Sequence, residues 1–363
     1  MQVELSYQGL TNHIKASVKG VFIVSGKTFE RAGLYERLDL EAATAKITRF
    51  SEFSENPNFE EVVRGVSIFK QSGADLIIAV GGGTAIDLAK LVKYYSDCDM
   101  TLSTDKLPMV EKVNKDIRLV AVPTTFGTGS EATHFAVLYF KGKKFSIASS
   151  DLTPNMTLID SGFAATLPVK VKAAACLDAL CQAIESLWSK NRTSESTLFA
   201  RAAVNKIVRN YDSYIKNGCP ESSTEIAIAA NLSGKAIDIT KTTAPHALSY
   251  TLTSDYLIPH GHAVALCIRN AFEVNEQNAS ISDQEISIVM SDVYDALGVK
   301  SSVEAKQLFI NFMELAGLES SIGAFGISSE GLDVIVKNVN VERLSNHPVK
   351  LTSSDLLRML ADR

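Results

Sequence analysis

The first half of the chain sets short, unbroken apolar runs between segments of helical periodicity. Val21–Val24 reads VFIV before Ser25-Gly26, and Leu76–Val80 reads LIIAV. Neither run alternates with polar residues, which fits strands of a parallel sheet buried on both faces. Ala45–Phe50 and Arg118–Val122 (RLVAV) predict two further strands. Thr28–Leu38 predicts a helix. Phe59–Ser72 carries apolar residues at helical spacing and stops at Gly73. Phe135–Phe140 and Lys144–Ala148 flank Lys141-Gly142-Lys143, the pattern of a hairpin. Met156–Ile159 adds a last strand, which ends at Asp160.

From Thr166 onward the texture changes. Alanine- and leucine-rich helical segments are expected at 170–189, 194–217, 222–239, 262–274, 282–297, 302–316 and 329–338. An α/β domain over 1–162 therefore precedes an all-α domain over 163–363, with the boundary near 161–166. The default expectation places the ligand in a cleft between such domains.

Composition narrows the class. Of 363 residues, 46% are hydrophobic and 21% charged, enough apolar material for a large core. A net charge of −5 offers no basic excess for nucleic acid or an anionic membrane. Five scattered cysteines form no CxxC pair, which suits a reducing compartment. MQVELSYQGL lacks the pattern of a signal peptide, and no apolar run approaches the roughly 20 residues of a membrane span. A cytoplasmic protein without nucleic-acid or membrane partners is expected.

Two loops and one histidine-rich stretch carry candidate chemistry. Gly81-Gly82-Gly83-Thr84 follows the LIIAV strand and opens a helix over Ala85–Tyr95. Glycines let the backbone approach a phosphate, and the helix N-terminus attracts it; a tight turn is the alternative, but it needs one glycine rather than three. The second loop, Pro123–Glu131, reads PTTFGTGSE and follows the RLVAV strand. Ligands of open α/β sheets sit beyond the carboxyl ends of strands; a solvated loop with an N-cap at Ser130 is the alternative. Ala244–His262 holds three of the six histidines, His246, His260 and His262. Upstream, Asp178 and Gln182 stand at i and i+4 on one helix face. Together these residues could form a small polar cluster, or be unrelated caps and loop residues.

GGGTAIDLAK (81–90), VPTTFGTGSEAT (122–133), LDALCQAIES (177–186) and APHALSY…IPHGHAVAL (244–266) occur in this order. Together they resemble the iron-containing (group III) alcohol dehydrogenase family, which is related to dehydroquinate synthase. The resemblance implies a Rossmann-like dinucleotide-binding half and a helical half. It also implies NAD(P)-dependent interconversion of an alcohol and an aldehyde or ketone. It assigns Gly82, Gly83 and Thr84 to the cofactor pyrophosphate and Asp87 to the same loop–helix motif. Thr124, Thr125 and Ser130 fall near the nicotinamide end, and Lys144 approaches the cofactor. The family's metal site is one Asp and three His, of which Asp178, His246 and His260 match three.

Two positions depart from the family. Gln182 stands where relatives carry the remaining His, and an amide oxygen is a weaker ligand than imidazole for Fe²⁺ or Zn²⁺. A divalent metal with a water ligand, or no metal at all, both stay open. Tyr250 stands where many relatives carry a second histidine that assists proton transfer; it is either a hydrogen-bond donor to the substrate oxygen or a packing residue.

LDALCQAIESLWS with ITKTTAPHALSY resembles the phosphonoacetaldehyde reductases (hydroxyethylphosphonate dehydrogenases). A phosphonate needs cationic partners. Lys241 is the first candidate, followed by Lys190, Arg192, Lys235 and His134. In the loop FSEFSENP (50–57), Ser51 takes the place of the acidic residue that binds the adenosine ribose, which leans toward NADPH. The expected activity is reduction of a small aldehyde by a homodimer. A dehydroquinate-synthase-like lyase and a non-catalytic nucleotide-binding relative remain as alternatives.

Overall fold

A computed structural model describes residues 2–17, 19–38, 46–100, 106–279, 284–339 and 341–362. It divides into two compact units, Met1–Thr125 with Gly129–Phe163, and Phe126–Thr128 with Ala164–Arg363.

The first unit is built on a six-stranded parallel sheet. Its strands are β1 (Gln2–Glu4), β2 (Gly20–Ser25), β3 (Lys46–Phe50), β4 (Leu76–Gly81), β5 (Arg118–Pro123) and β8 (Met156–Leu158), in the order β1-β8-β5-β4-β2-β3. The chain runs outward from β2 to β3, then returns to place β4 on the other side of β2. That reversal is a topological switch point, where open α/β sheets bind ligands. β2 and β4 are buried at every position, as their unbroken apolar sequences require. β6 (Phe135–Phe140) and β7 (Lys143–Ala148) form a separate antiparallel hairpin. Lys141 and Gly142, with φ of 50° and 72°, make its two-residue turn.

Helices α1 (Tyr7–Ser17), α2 (Thr28–Arg31), α3 (Leu34–Arg37), α4 (Phe59–Ser72) and α5 (Gly83–Tyr94) complete this unit. α4 starts with a capping box between Asn58 and Glu61 and ends at Gly73 with φ 68°. The single helix expected over Thr28–Leu38 is two short ones, because Gly33 adopts φ 60° between them. β1 and α1 were not foreseen, because QVE is too short to show a period. Ala45, expected to open β3, lies outside the described residues.

The second unit is helical. It comprises α6 (Val169–Trp188), α7 (Ser194–Lys216), α8 (Pro220–Thr240), α9 (Ala244–Ser254), α10 (His260–Asn278), α11 (Gln284–Leu297), α12 (Ser302–Leu315), α13 (Ser329–Lys337), α14 (Val341–Ser345) and α15 (Ser353–Met359). Residues 282 and 283, expected at the start of α11, lie outside the described set. α6 is the hub: it packs against α7, α8 and α10, and α9 packs against α10. Almost every α6 side chain from Lys172 to Trp188 is buried, polar ones included. Among the described residues, no helix is long and apolar enough to cross a membrane.

Candidate functional site

Two constellations stand out, one in each unit. In the first, adjacent strands β4 and β5 end in the two loops singled out in the sequence, with Gly81 in register with Pro123. The N-cap of α5 is Gly82, which has no side chain to offer, so the first backbone N–H groups are not taken by a capping side chain. Two of the glycines leave little room for a side chain. A Cβ on Gly81 would meet the Ala85 Cβ at 2.6 Å, and one on Gly82 would meet Thr125 Oγ1 at 2.7 Å. Thr124 is buried and donates its N–H to the Gly81 carbonyl at 3.0 Å. Gly83 and Thr84 form the first turn of α5, and the Thr84 hydroxyl accepts from Asn56 N.

Asp87 and Ser130 are both buried and bonded to each other. Asp87 is buried, its Oδ1 accepts from the Ser130 hydroxyl, and its Oδ2 accepts from Val137 N at 3.0 Å. Burial raises its carboxyl above the ordinary range, against the pull of Lys90. Lys90 was missed in the sequence. It is fully buried on α5, and its Nζ reaches the carbonyl oxygens of Ser130, Thr133 and Phe135 at 2.6, 2.7 and 2.8 Å. Asp87 and Lys90 thus tie the 130–137 segment onto the helix behind the glycine loop. Lys144 sits exposed on β7, opposite Tyr139 and close enough for its charge to act on Asp87.

In the second unit, α6, α9 and α10 bring Asp178, His246 and His260 together, although up to 82 positions separate them in sequence. One donor atom from each lies within 4.8 Å of the others. Asp178 Oδ1 is 3.2 Å from His246 Nε2 and 4.0 Å from His260 Nε2. Tetrahedral ligands about 2.0–2.2 Å from Zn²⁺ stand about 3.3–3.6 Å apart, so a carboxylate and two imidazoles that lie 3.2 and 4.0 Å from the shared Asp178 oxygen are near the spacing a divalent ion needs. Hydrogen bonds from His246 and Gln182 and the nearby imidazole charges outweigh burial and hold the Asp178 carboxyl below its ordinary range. Burial pulls the His246 pKa down, but Glu185 and Asp178 outweigh it and raise the value to about 10.

Gln182 is near the cluster, but its amide is engaged. Nε2 donates to the Thr128 carbonyl at 3.3 Å, and Oε1 lies 3.2 Å from Ser233 Oγ. The amide also hydrogen-bonds Asp178. His262 turns away to the Glu319 carbonyl, 2.6 Å from Nε2, and packs edge-on to Phe325. Tyr250 lies nearly parallel to the His260 ring at 6.2 Å between centroids. The Lys241 ammonium pairs with Glu342 at 2.7 Å. Arg192 pairs with Glu285, and Lys235 lies over the Phe199 ring.

The sequence reading missed Glu185, which contacts both the side chain and the backbone of His246. The available signal was a polar stripe on a buried helix: Asp178, Gln182 and Glu185 stand at i, i+4 and i+7.

A parallel sheet with a glycine loop at its switch point, and a carboxylate–imidazole cluster on buried helices, define a nucleotide-dependent metalloenzyme class. Residues 4–161 match the iron-containing alcohol dehydrogenase family, and residues 172–363 match the C-terminal domain of the Fe-containing alcohol dehydrogenase family. The chain belongs to the iron-containing alcohol dehydrogenase family and is an oxidoreductase; the family uses NAD(P) and a divalent metal.

It is 29% identical over 309 residues to phosphonoacetaldehyde reductase of Streptomyces viridochromogenes, a match that spans 80% of this chain and 76% of that protein. It is 28% identical over 326 residues to aldehyde-alcohol dehydrogenase 2 of Entamoeba histolytica; that match spans 85% of this chain but 36% of the longer protein. Among solved structures, sulfoacetaldehyde reductase of Bifidobacterium kashiwanohense in complex with NAD⁺ is similar with a TM-score of 0.88. That pair is 25% identical, and the superposition covers 100% of this chain and 97% of the other.

Proposed function

We propose that the chain catalyses the reversible NAD(P)H-dependent reduction of a small aldehyde that carries a phosphonate or similar acid group, with phosphonoacetaldehyde to 2-hydroxyethylphosphonate as the leading pair. The observation that carries this reading is the convergence of Asp178, His246 and His260. The phosphonoacetaldehyde reductase and sulfoacetaldehyde reductase similarities support the substrate class.

In this reading, residues 1–162 form the dinucleotide-binding domain and 163–363 the metal and substrate domain. Gly82, Gly83 and Thr84 hold the pyrophosphate through the α5 N-terminus. Thr124 and Thr125 shape the neighbouring loop, while Asp87 and Ser130 hold that loop in place. Asp178, His246 and His260 would hold the metal, which when bound polarises a carbonyl oxygen as a Lewis acid. Gln182 keeps Asp178 oriented. Tyr250, beside His260, donates a hydrogen bond to the substrate oxygen and passes the proton that the alkoxide takes up. The balance is aldehyde plus NAD(P)H plus a proton to alcohol plus NAD(P)⁺. Lys241 is the candidate for the substrate anion, and that contact requires exchange of its Glu342 partner. Ser51, directly after β3, brings no carboxylate to the ribose position, which favours NADPH. A homodimer in the cytoplasm belongs to the same reading.

The test is an aldehyde panel with both coenzymes, on protein whose metal content has been measured. Loss of 340 nm absorbance with phosphonoacetaldehyde, faster than with uncharged aldehydes, supports the proposal. Phosphate release without net coenzyme consumption would point to the lyase reading instead.

A further inference from the structure

The α9 helix bears His246, yet it begins without a cap of its own: Thr243 makes no side-chain hydrogen bond to the first turn. The cap comes from another helix. Glu185 on α6 is fully buried, and its Oε1 accepts from Thr243 N at 2.9 Å, from the Thr243 hydroxyl at 2.8 Å and from His246 N at 3.3 Å. Its Oε2 meets His246 Nδ1. A carboxylate at a helix N-terminus is favoured by the dipole and by the otherwise unmatched N–H groups. Here the same carboxylate also fixes an imidazole. With Nδ1 bound to Glu185, His246 directs Nε2 at Asp178, 3.2 Å away.

The connector into α9 is constrained on its other side as well. Lys241 adopts φ 59° and ψ 175°, a conformation ordinarily confined to glycine. Asn346 Nδ2 holds the Thr240 and Thr242 carbonyls at 2.8 and 3.1 Å. Trp188 Nε1 donates to the Thr243 hydroxyl at 3.0 Å.

We propose that Glu185 is a positioning residue for the metal centre: it caps α9 from the neighbouring helix and holds His246 by Nδ1, so that Nε2 is presented to a divalent ion beside Asp178 and His260. A carboxylate behind a metal-binding histidine sets its orientation and raises its basicity as a ligand. The inference rests on the metal reading given above but on no substrate assignment, so the two fail in different assays.

The experiment measures Zn²⁺ and Co²⁺ dissociation constants by chelator competition, NADH and NADPH affinity, and melting temperature, on the full-length wild type, E185Q and T243V. Glutamine keeps an acceptor for the helix cap but sets an amide N–H against Nδ1. E185Q is expected to weaken metal binding by roughly 10- to 100-fold with coenzyme affinity unchanged. T243V, which touches the same carboxylate but not the imidazole, is expected to stay within a few-fold of wild type. Wild-type metal affinity in E185Q, or an equal loss in T243V for the same drop in melting temperature, overturns the proposal. Independently of any variant, ¹⁵N-histidine NMR of the zinc-loaded wild type should show the His246 proton on Nδ1; a proton on Nε2 overturns it. A wild type that takes up neither ion overturns the metal reading itself.

Discussion

Gly261 lies directly against Asp178. A Cβ built on Gly261 would fall 2.7 Å from the Asp178 Cβ and 1.9 Å from the Ala174 carbonyl oxygen. The residue after His260 must therefore lack a side chain for α10 to rest on α6. On the Phe126–Thr128 segment, Gly127 makes a comparable approach, with its absent Cβ 2.7 Å from the Ala175 carbonyl oxygen. G261A has backbone rather than a flexible side chain to push against, so α10 must shift and carry His260 away from Asp178. Misplacing a reacting group by about 1 Å costs on the order of a hundredfold in rate. The expected outcome is a hundredfold or greater loss of aldehyde reduction together with weakened metal binding, while coenzyme affinity stays near wild type. Steady-state kinetics and chelator competition check both halves.

The parts legible in the sequence were those whose signal is contiguous. The strand, glycine loop and helix from Leu76 to Tyr94 could be read because they follow one another. The buried strands β2, β4 and β5 could be read from unbroken apolar runs. Asp178, His246 and His260 lie far apart in sequence, so residue types alone left a cluster and unrelated residues equally open, and the family motifs made the link. What stayed hidden depends on tertiary contact. Lys90 looks like an ordinary helix lysine until the 130–137 segment folds over it. Glu185 looks like a surface carboxylate until α9 docks. α9 itself had a local signal, Pro245 in its first turn, but the histidines drew the reading toward a loop.

Gln182 supplies the next prediction. Its amide nitrogen faces the Thr128 carbonyl and its oxygen faces Ser233, beside the Asp178, His246 and His260 donors. Q182H places an imidazole one turn along α6 from Asp178, on the same face. An added nitrogen ligand should tighten Zn²⁺ binding by roughly tenfold or more. Q182A, which removes only the hydrogen-bonding amide, should change it by much less. Chelator competition on both variants measures the contrast. Equal affinities in wild type and Q182H would mean the imidazole cannot reach the ion.

Lys241 joins backbone strain to a disputed side-chain role. A non-glycine residue in this conformation costs on the order of 1–3 kcal/mol. Its exposed ion pair with Glu342 is worth about 0–1 kcal/mol, little enough to give up. K241G relieves the strain but adds freedom to the unfolded chain worth roughly 0.5–1 kcal/mol. The expected net is a gain of about 1 kcal/mol, read as a higher denaturant midpoint at unchanged slope. The same variant decides the substrate contact. A KM increase confined to the phosphonate-bearing aldehyde assigns the anion to Lys241; equal KM values for charged and uncharged aldehydes remove it from the site.

His347 is a buried imidazole outside the Asp178, His246 and His260 cluster, and it predicts an acid-sensitive fold. It is fully buried, Nε2 is 2.7 Å from Asn275 Oδ1, and Nδ1 has no partner among the described residues. Its ring lies edge-on to Trp188 at 5.9 Å between centroids. Burial, helped by the Lys190 charge, lowers its pKa from 6.5 to about 3. The sign follows directly. Below pH 6.5 the unfolded chain takes up a proton that the folded chain refuses until about pH 3. The folded state therefore loses roughly 1.4 kcal/mol per pH unit across that window from this residue alone, and nothing above it. H347Q keeps a donor for Asn275 but cannot ionise. Its stability at pH 7.5 should be within about 1–2 kcal/mol of wild type, the scale of one altered buried hydrogen bond. Its stability should fall less steeply than wild type between pH 6.5 and pH 4. Urea unfolding at stepped pH measures both slopes, and parallel curves for the two proteins would show that His347 is not the residue that titrates.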